Sequence, residues 1–294
     1  MSSNYQIVVD STSDLPPHLA DSWGIEVIPY LYNLDGQEFY NFLDYRQQSA
    51  KDFYDALRGG KTASTTQVTM FRYIEAWEPF LKDGKDILYL CLSSGLTGGY
   101  QQSLLAVAEA KEKYPDRKII SIDTKSASLA QGALAYYAHN LREEGKTIEE
   151  AATYIESIIP NMQHWAIPDD LHHLRRGGRV SGAAAFVGTM LNVKPIITMS
   201  HDGRLVPVHK VRGKKKAIAH LVEQMVAQKI DVSNQVIVIA HSDAPEFAQQ
   251  LKDAIEAQFG ECEFFINYLG PVIGSHTGPG TVAMGYLGAV RPQI

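Results

Sequence analysis

The stretch DILYLCLSSGLTGGY, residues 86–100, decides the fold of this chain. An apolar run with the length of a buried strand, 86–92, stops in hydroxyls and glycines, and a helix-like segment follows. The start of a helix offers unpaired backbone N–H groups and the positive end of a dipole, so it favours an anion. Glycine lets a ligand approach the backbone, and serine or threonine adds hydroxyl donors. The loop contains no lysine or arginine, which suits a neutral or singly charged head group better than a triphosphate.

Two other apolar strands end in the same way. IVVD at 7–10 runs into STSD at 11–14, and IISID at 119–123 runs into TKSAS at 124–128. In an open parallel sheet such loops gather along one edge, where ligands of this architecture bind. Helix caps and turns use the same residue types, so one such loop does not distinguish a binding site from a structural turn. Their recurrence favours a binding site.

The first part of the chain alternates strands with helices, which favours right-handed crossovers and a parallel sheet. The predicted strands are 5–10, 25–32, 86–92 and 118–122, and the predicted helices are 49–58, 69–82, 100–113, 127–144 and 147–159. The sequence LDGQEF at 34–39 predicts a hairpin with Asp-Gly at its centre.

The pattern changes near Pro160. Further strands are predicted at 194–199, 204–208, 235–241 and 262–268, with helices at 213–228 and 244–259 and a tight turn at 201–203. We therefore predict an α/β protein of two domains, an N-terminal parallel α/β sheet domain at 1–160 and a C-terminal mixed or antiparallel α/β domain at 161–294.

The bulk properties are those of an ordinary soluble protein. The chain has 294 residues, 45% hydrophobic and 20% charged, enough for a large core and two domains. A net charge of −6 disfavours a nucleic-acid surface. Cys91 and Cys262 imply no disulfide framework. The N-terminus has no basic segment leading into an apolar signal, and no uncharged apolar stretch approaches the ~20 residues that span a bilayer. A cytoplasmic location is expected.

Two further loops carry candidate binding residues. LGPVIGSHTGPGT at 269–281 sets His276 among glycines and hydroxyls after a strand, where it could offer a hydrogen bond or a positive charge to an acidic ligand. KTASTTQ at 61–67 is also rich in hydroxyls, although a helix cap and a turn explain it equally well.

Signals of an enzyme are weak. There is no Gly-x-Ser-x-Gly elbow, no phosphate-loop motif and no Cys/His cluster with zinc-like spacing. A hydrolase triad of Ser94, His276 and Asp123 can be written, but many chains allow such a selection. The basic runs RRGGR at 175–179 and KVRGKKK at 210–216 are either solvated surface or a docking patch for an acidic or phosphate-carrying partner.

The motifs together resemble the DegV family. The resemblance covers essentially the whole chain, with the motifs in the family's order and spacing. They are VDSTSDL at 9–15, LSSGLTGGYQQS at 92–103, GRVSG at 178–182, KPI at 194–196 and GPVIGSHTGPG at 270–280. Two stretches depart from the family: its frequent Thr-Ser-Gln-Pro is TAST at 62–65 here, and its Leu-Ser-Gly-Thr-Tyr is LTGGY at 96–100.

The resemblance implies a two-domain α/β protein that binds one long-chain fatty acid between and within its domains, without catalytic residues or a cofactor of its own. It implies a separate ATP-dependent fatty acid kinase subunit as partner, to which the carboxylate is presented for acyl phosphate formation in phospholipid synthesis. We further expect a monomer that makes transient contact with a membrane and binds no nucleic acid or metal.

The family's functional positions transfer residue by residue. The resemblance implies carboxylate contacts from Thr62, Ser93, Ser94 and His276, with the hydroxyl donor in the 62–66 loop left open. It implies kinase docking or phosphate contact by Arg179, Arg212, Lys214 and Lys215. The apolar segment 183–191 is either part of a tunnel for the acyl tail or an ordinary core helix. An acyl-ester hydrolase and a sugar- or nucleotide-binding module are the alternative functions.

Overall fold

A computed structural model describes residues 4–169, 171–180 and 192–294. The strands are β1 (Tyr5–Asp10), β2 (Glu26–Ile28), β3 (Tyr30–Leu34), β4 (Gln37–Asn41), β5 (Ala63–Thr66), β6 (Asp86–Cys91), β7 (Ile119–Asp123), β8 (Met162–Ile167), β9 (Val193–Met199), β10 (Leu205–Arg212), β11 (Val236–His241), β12 (Glu263–Tyr268) and β13 (Val282–Leu287). The α-helices are α1 (Pro17–Ser22), α2 (Ala50–Arg58), α3 (Met70–Lys82), α4 (Gly99–Lys113), α5 (Leu129–Glu143), α6 (Ile148–Ile158), α7 (His172–Gly177), α8 (Lys214–Ala227), α9 (Pro245–Phe259) and α10 (Pro271–Thr277). The segment 183–191, for which a tail tunnel or a core helix was predicted, lies outside the described residues.

The first sheet is parallel throughout, as predicted. Its strand order is β2-β1-β6-β7. Its strands read as nearly continuous apolar runs because both faces are covered by helices. Tyr89 on β6 faces the core formed with α2 and α3, whereas its neighbours Leu88 and Leu90 face α5 and α6. The carboxyl ends of β1, β6 and β7 therefore share one edge, which is where the three hydroxyl-rich loops lie.

The predicted strand at 25–32 is two strands in two sheets. β2 pairs with β1, while β3 joins the antiparallel sheet of order β4-β3-β5. The break falls at Pro29, which has no N–H to donate to a strand ladder. The predicted hairpin is confirmed, with Asp35 and Gly36 at φ 54° and 90° in its turn. Part of the 61–67 loop is the strand β5.

The second sheet is mixed, as predicted. Its order is β10-β9-β8-β13-β11-β12, and among the strands that the structure describes in it only β11 and β12 pair in parallel. Sequence reasoning missed β13, which lies in the middle of this sheet. The turn between β9 and β10 contains Gly203 at φ 75°. Sheet membership changes between β7 and β8, and the domain boundary near residue 160 stays a prediction.

Helix α5 lies between the two sheets and positions the ligand cleft. It packs on β1 and β6 on one side and on β8, β11 and β13 on the other. Alternation along β11 shows the layers: Val236 and Val238 face α5, whereas Ile237 and Ile239 face α8 and α9. The N-terminus of α5 opens at the edge of the parallel sheet. In the described part of the chain, no helix is long and apolar enough to cross a bilayer.

Candidate functional site

The loops at the edge of the parallel sheet are held together by Asp10. Its Oδ1 accepts the Thr12 N–H at 3.0 Å, and its Oδ2 accepts the Tyr89 hydroxyl at 2.9 Å and the Leu92 N–H at 3.1 Å. Burial raises the pKa of this carboxyl, and the hydrogen bonds oppose that rise. Asp10 therefore ties the end of β1 to the start of the 92–98 loop and leaves ligand contact to its neighbours.

A cleft opens beside these loops and has two connected compartments. The polar compartment has a cavity volume of about 340 Å³ and the apolar compartment one of about 80 Å³. The polar walls include Thr65, Gln67, Thr97, Gly98, Arg179 and His276. The apolar walls include Ile197, Met199, Val238, Ala240, Leu269 and Met284. Ala127, Leu174, Leu205, Ile273 and Thr277 line both compartments, so the two spaces adjoin.

Helix α10 carries His276 into the polar compartment. The sequence predicted a loop here, but Pro271 sits at the first helical position, where its fixed φ suits a helix and its missing N–H costs nothing. His276 Nε2 lies 2.9 Å from Thr65 Oγ1, while its Nδ1 is buried without a hydrogen-bond partner among the described residues. Burial, and to a smaller extent the Arg179 and Arg176 guanidinium groups, lower the pKa of His276 to about 4. The imidazole is neutral at pH 7.

Arg179 brings a positive charge to the same compartment. Its side chain lines the cleft, and its Nε donates to the Leu96 carbonyl over 3.4 Å. An incoming carboxylate would meet this guanidinium as well as the neutral donors of the compartment. The position suits contact with a carboxylate or a phosphate.

Thr62 is placed away from the cleft. It is exposed, it precedes β5, and its carbonyl accepts the Asp35 N–H at 2.9 Å. Thr65 lines the polar compartment instead and is bonded to His276. Alternation along β5 explains the difference, because residues 63 and 65 are half-buried while 64 and 66 are exposed. Thr66 and Gln67 also line the compartment, so the alternation in the sequence would not by itself have selected Thr65.

The hydroxyls of Ser93 and Ser94 already have protein partners, and neither residue lies among the described residues that line the cleft. Ser93 Oγ donates to the Gly203 carbonyl at 2.7 Å, where the β9–β10 turn packs on the loop. A Cβ at Gly203 would lie 2.1 Å from Ser93 Oγ, so the turn needs a glycine at this contact. Ligand contact by the two serines stays a prediction that requires these partners to move.

Ser94, His276 and Asp123 do not form a hydrolase triad in the described structure. Asp123 Oδ1 accepts the Ser94 backbone N–H at 3.0 Å. Ser94 Oγ accepts the Lys125 ammonium at 2.8 Å, and His276 is bonded to Thr65. Lys125, which sequence reasoning did not select, also pairs with Asp123 at 2.8 Å. No group of three or more metal-ligating side chains is assembled among residues 4–169, 171–180 and 192–294.

The basic residues predicted for docking lie on the surface at the junction of β10 and α8. Arg212 ends β10, and Lys214 and Lys215 begin α8; all three are exposed. Lys214 borders a groove of about 410 Å³ that also includes Pro279 and Gly280, in the turn after α10. This basic cluster is separate from Arg179, which lines the cleft itself.

The fold and the cleft define a two-domain α/β protein with a cleft between a parallel and a mixed sheet. The chain belongs to the DegV family: the model described as "Uncharacterised protein, DegV family" matches residues 4–289. A DegV domain-containing protein from Clostridium perfringens is 39% identical, with 98% of each chain covered.

Solved structures give the same fold. A DegV lipid binding protein from Thermotoga maritima superposes with a TM-score of 0.87 at 28% identity, covering 98% of this chain and 99% of that one. A DegV family protein from Thermus thermophilus, described for its fatty acid binding, has a TM-score of 0.86 at 28% identity and covers 97% and 100%. The two-domain α/β class predicted from the sequence is confirmed.

Proposed function

We propose that this protein binds one long-chain fatty acid, without catalysing a reaction on it, and presents the carboxylate to a separate ATP-dependent kinase subunit. The observation that carries the proposal is the pair of adjoining compartments, one polar and one apolar. Fatty acid binding by the structurally similar Thermus thermophilus protein supports it. The acid end would lie in the polar compartment and the tail in the apolar one.

The polar compartment offers what a carboxylate needs. Thr65 and Arg179 supply a hydroxyl and a guanidinium, and His276 has a buried Nδ1 without a partner. A carboxylate beside His276 would favour the protonated ring, against the burial that lowers its pKa. These groups would fix the orientation of the acid. Ser93 and Ser94 join them only if their present partners are released.

The apolar compartment would supply most of the affinity. Each methylene buried there gains about 0.8 kcal/mol. A tail of ~16 carbons buried along both compartments would gain roughly 10 kcal/mol before the costs of ordering, desolvation and widening the apolar walls are subtracted. An acyl chain therefore exploits the cleft far better than a polar sugar or nucleotide would, since neither has a tail to fill the apolar walls.

The proposed presentation to a kinase rests on positively charged side chains, one in the cleft and the others in the exposed basic cluster between β10 and α8. Arg179 could contact the phosphoryl group of the product, and the basic cluster Arg212, Lys214 and Lys215 is exposed for docking to an acidic surface. The groove beside Lys214 borders the turn that follows α10, the helix of His276. A partner seated on the basic cluster would therefore lie close to the end of that helix.

A homologous series of saturated acids tests the binding. The delipidated protein is titrated calorimetrically with acids from octanoate to stearate, and with the matching alkanols to isolate the head group. We expect affinity to rise about fourfold per added methylene until the tail fills the cavity. An affinity that does not change with chain length would overturn the proposal, and so would nucleotides or sugars that bind more tightly than the fatty acids.

A reconstituted assay tests presentation. With a fatty acid kinase subunit, ATP and Mg²⁺, the Arg212→Ala and Lys214→Ala variants should slow acyl phosphate formation while binding palmitate normally. Arg46→Ala, an exposed arginine paired with Asp44, serves as the control. Hydrolysis of a chromogenic acyl ester that disappears in Ser94→Ala would instead support the hydrolase alternative.

A further inference from the structure

His164 is an unexpected polar side chain in the wall of the apolar compartment. It lies on β8, is 9% exposed, and is the one ionisable side chain among the described residues lining that compartment. Its Nε2 faces the backbone N–H of Ala127, which lines both compartments. His164 therefore sits at the neck, where a bound tail would leave the polar compartment.

The hydroxyls on the same wall are already committed within the fold. Ser128 donates to Asp14 Oδ2 at 2.6 Å and Thr198 to the His164 carbonyl at 2.9 Å. Thr277 donates to the Ile273 carbonyl at 3.2 Å, and Thr281 to the Thr277 carbonyl at 3.1 Å. None of these four needs a hydrogen bond from a ligand. Besides His164, the lining residue Trp165 has a buried indole N–H without a hydrogen-bond partner among the described residues, but an N–H can only donate, so His164 supplies the side-chain acceptor.

The hydrogen bonds of His164 fix its tautomer. Nδ1 lies 3.0 Å from the Met162 carbonyl, which can only accept, so Nδ1 carries the proton and Nε2 is an acceptor. The Ala127 N–H reaches Nε2 over 3.4 Å, longer than the 2.7–3.2 Å of an ordinary N–H bond. Burial, and to a smaller extent the charge of Arg291, lower the pKa of His164 to about 3, so the ring stays neutral. The long hydrogen bond between the Ala127 N–H and His164 Nε2 thus joins two residues that line the apolar compartment.

We infer that the tunnel selects acyl chains bearing a hydroxyl at the depth of His164. Such a hydroxyl donates to Nε2 and accepts from the Ala127 N–H, satisfying both groups at once. An acyl chain without a hydroxyl leaves the weak hydrogen bond between the Ala127 N–H and His164 Nε2 unchanged and gains no hydrogen bond at this depth. The inference rests on the proposed function and names a subclass of its ligand.

The experiment compares stearate with stearates hydroxylated at positions 2, 3, 10 and 12, by titration calorimetry on the wild type and on His164→Phe. For one position we expect the hydroxy acid to bind the wild type at least as tightly as stearate. It should bind His164→Phe about tenfold more weakly than stearate does, because the hydroxyl is then buried without a partner. His164→Gln, which keeps an acceptor, should restore part of the preference.

Met199→Leu is the control, since it changes the same compartment at nearly constant volume without touching a polar group. Should the variants fail to fold, the ¹⁵N shift of His164 Nε2 in the wild type should move with the preferred hydroxy acid and not with stearate. The inference would be overturned if, at every position, the hydroxyl weakened binding relative to stearate by the same factor in the wild type and in His164→Phe. An unchanged ¹⁵N shift of His164 Nε2 would also overturn it. Normal binding of stearate in that case would leave the proposed function standing.

Discussion

Gly177 supports the position of His276, and a single methyl group there should displace the imidazole. Gly177 is the last residue of α7, and a Cβ built on it would lie 2.3 Å from His276 Nδ1. Ordinary contacts of a Cβ begin at 3.4 Å. The ring of Gly177→Ala must therefore shift by about 1 Å, at the close packing typical of protein interiors. That shift breaks the 2.9 Å contact between His276 and Thr65.

The expected loss follows from the hydrogen bond to the charged ligand. A bond to an ionised group contributes about 1.5–3 kcal/mol, so palmitate should bind Gly177→Ala about 10- to 100-fold more weakly. The backbone should tolerate the change, because Gly177 does not have a positive φ and alanine favours a helix by up to ~1 kcal/mol over glycine. The free energy of urea unfolding should therefore change little.

The adjacent Gly178 provides the matched control. Gly178 follows α7 as its C-cap residue with φ 68°, and a Cβ there would meet nothing within 4 Å. Gly178→Ala should thus cost about 1–2 kcal/mol of stability through backbone strain while palmitate affinity stays unchanged. Titration calorimetry and urea unfolding on both variants separate the two effects. Normal affinity in Gly177→Ala, or equal losses of affinity in both variants, would refute the role assigned to His276.

Three further perturbations test neighbouring groups. Thr65→Val should weaken palmitate binding about fivefold in calorimetry and Thr62→Val not at all; equal losses would contradict the placement of Thr65. Burial raises the pKa of Asp14 to about 8, so its contribution to stability is fully present below the unfolded value of 3.8 and is lost as pH rises through 8. Asp14→Asn keeps hydrogen bonds to Gly270 and Ser128, so the free energy of urea unfolding of this variant should no longer decrease over that pH range. An unchanged dependence of the unfolding free energy on pH would argue against the role assigned to Asp14. The pKa of His276 is lowered from 6.5 to about 4, so wild-type stability should fall by at most ~3 kcal/mol as pH drops through that window. His276→Gln should not show that fall, and an identical decline in the variant would count against the assignment.

The sequence predicts the architecture well where patterns are local. The apolar run of β6 and the Asp35-Gly36 turn each follow from a few neighbouring residues, and the structure confirms both. Pro29 divided a predicted strand because one missing N–H ends a ladder, a signal that apolar periodicity does not contain. β13 was missed because its VAMGYL pattern gains its meaning only between β8 and β11.

The site was harder to predict than the fold, since its residues converge from distant segments. Thr65 and His276 are bonded across more than two hundred residues of sequence, and only the packing of α10 against β5 brings them together. Ser93 was selected for its hydroxyl, but a turn from the other sheet occupies that hydroxyl. Residue type indicates what a side chain can do, whereas its partners in the fold decide whether it is free to do it.

Native mass spectrometry of the protein as purified tests the central claim most directly. A tail buried in a dry compartment should keep its ligand through purification, so we predict an excess mass of about 250–300 Da that is released on denaturation and identified as a fatty acid. A protein of bare chain mass that also fails to take up added palmitate would contradict the claim that the cleft shelters an acyl chain.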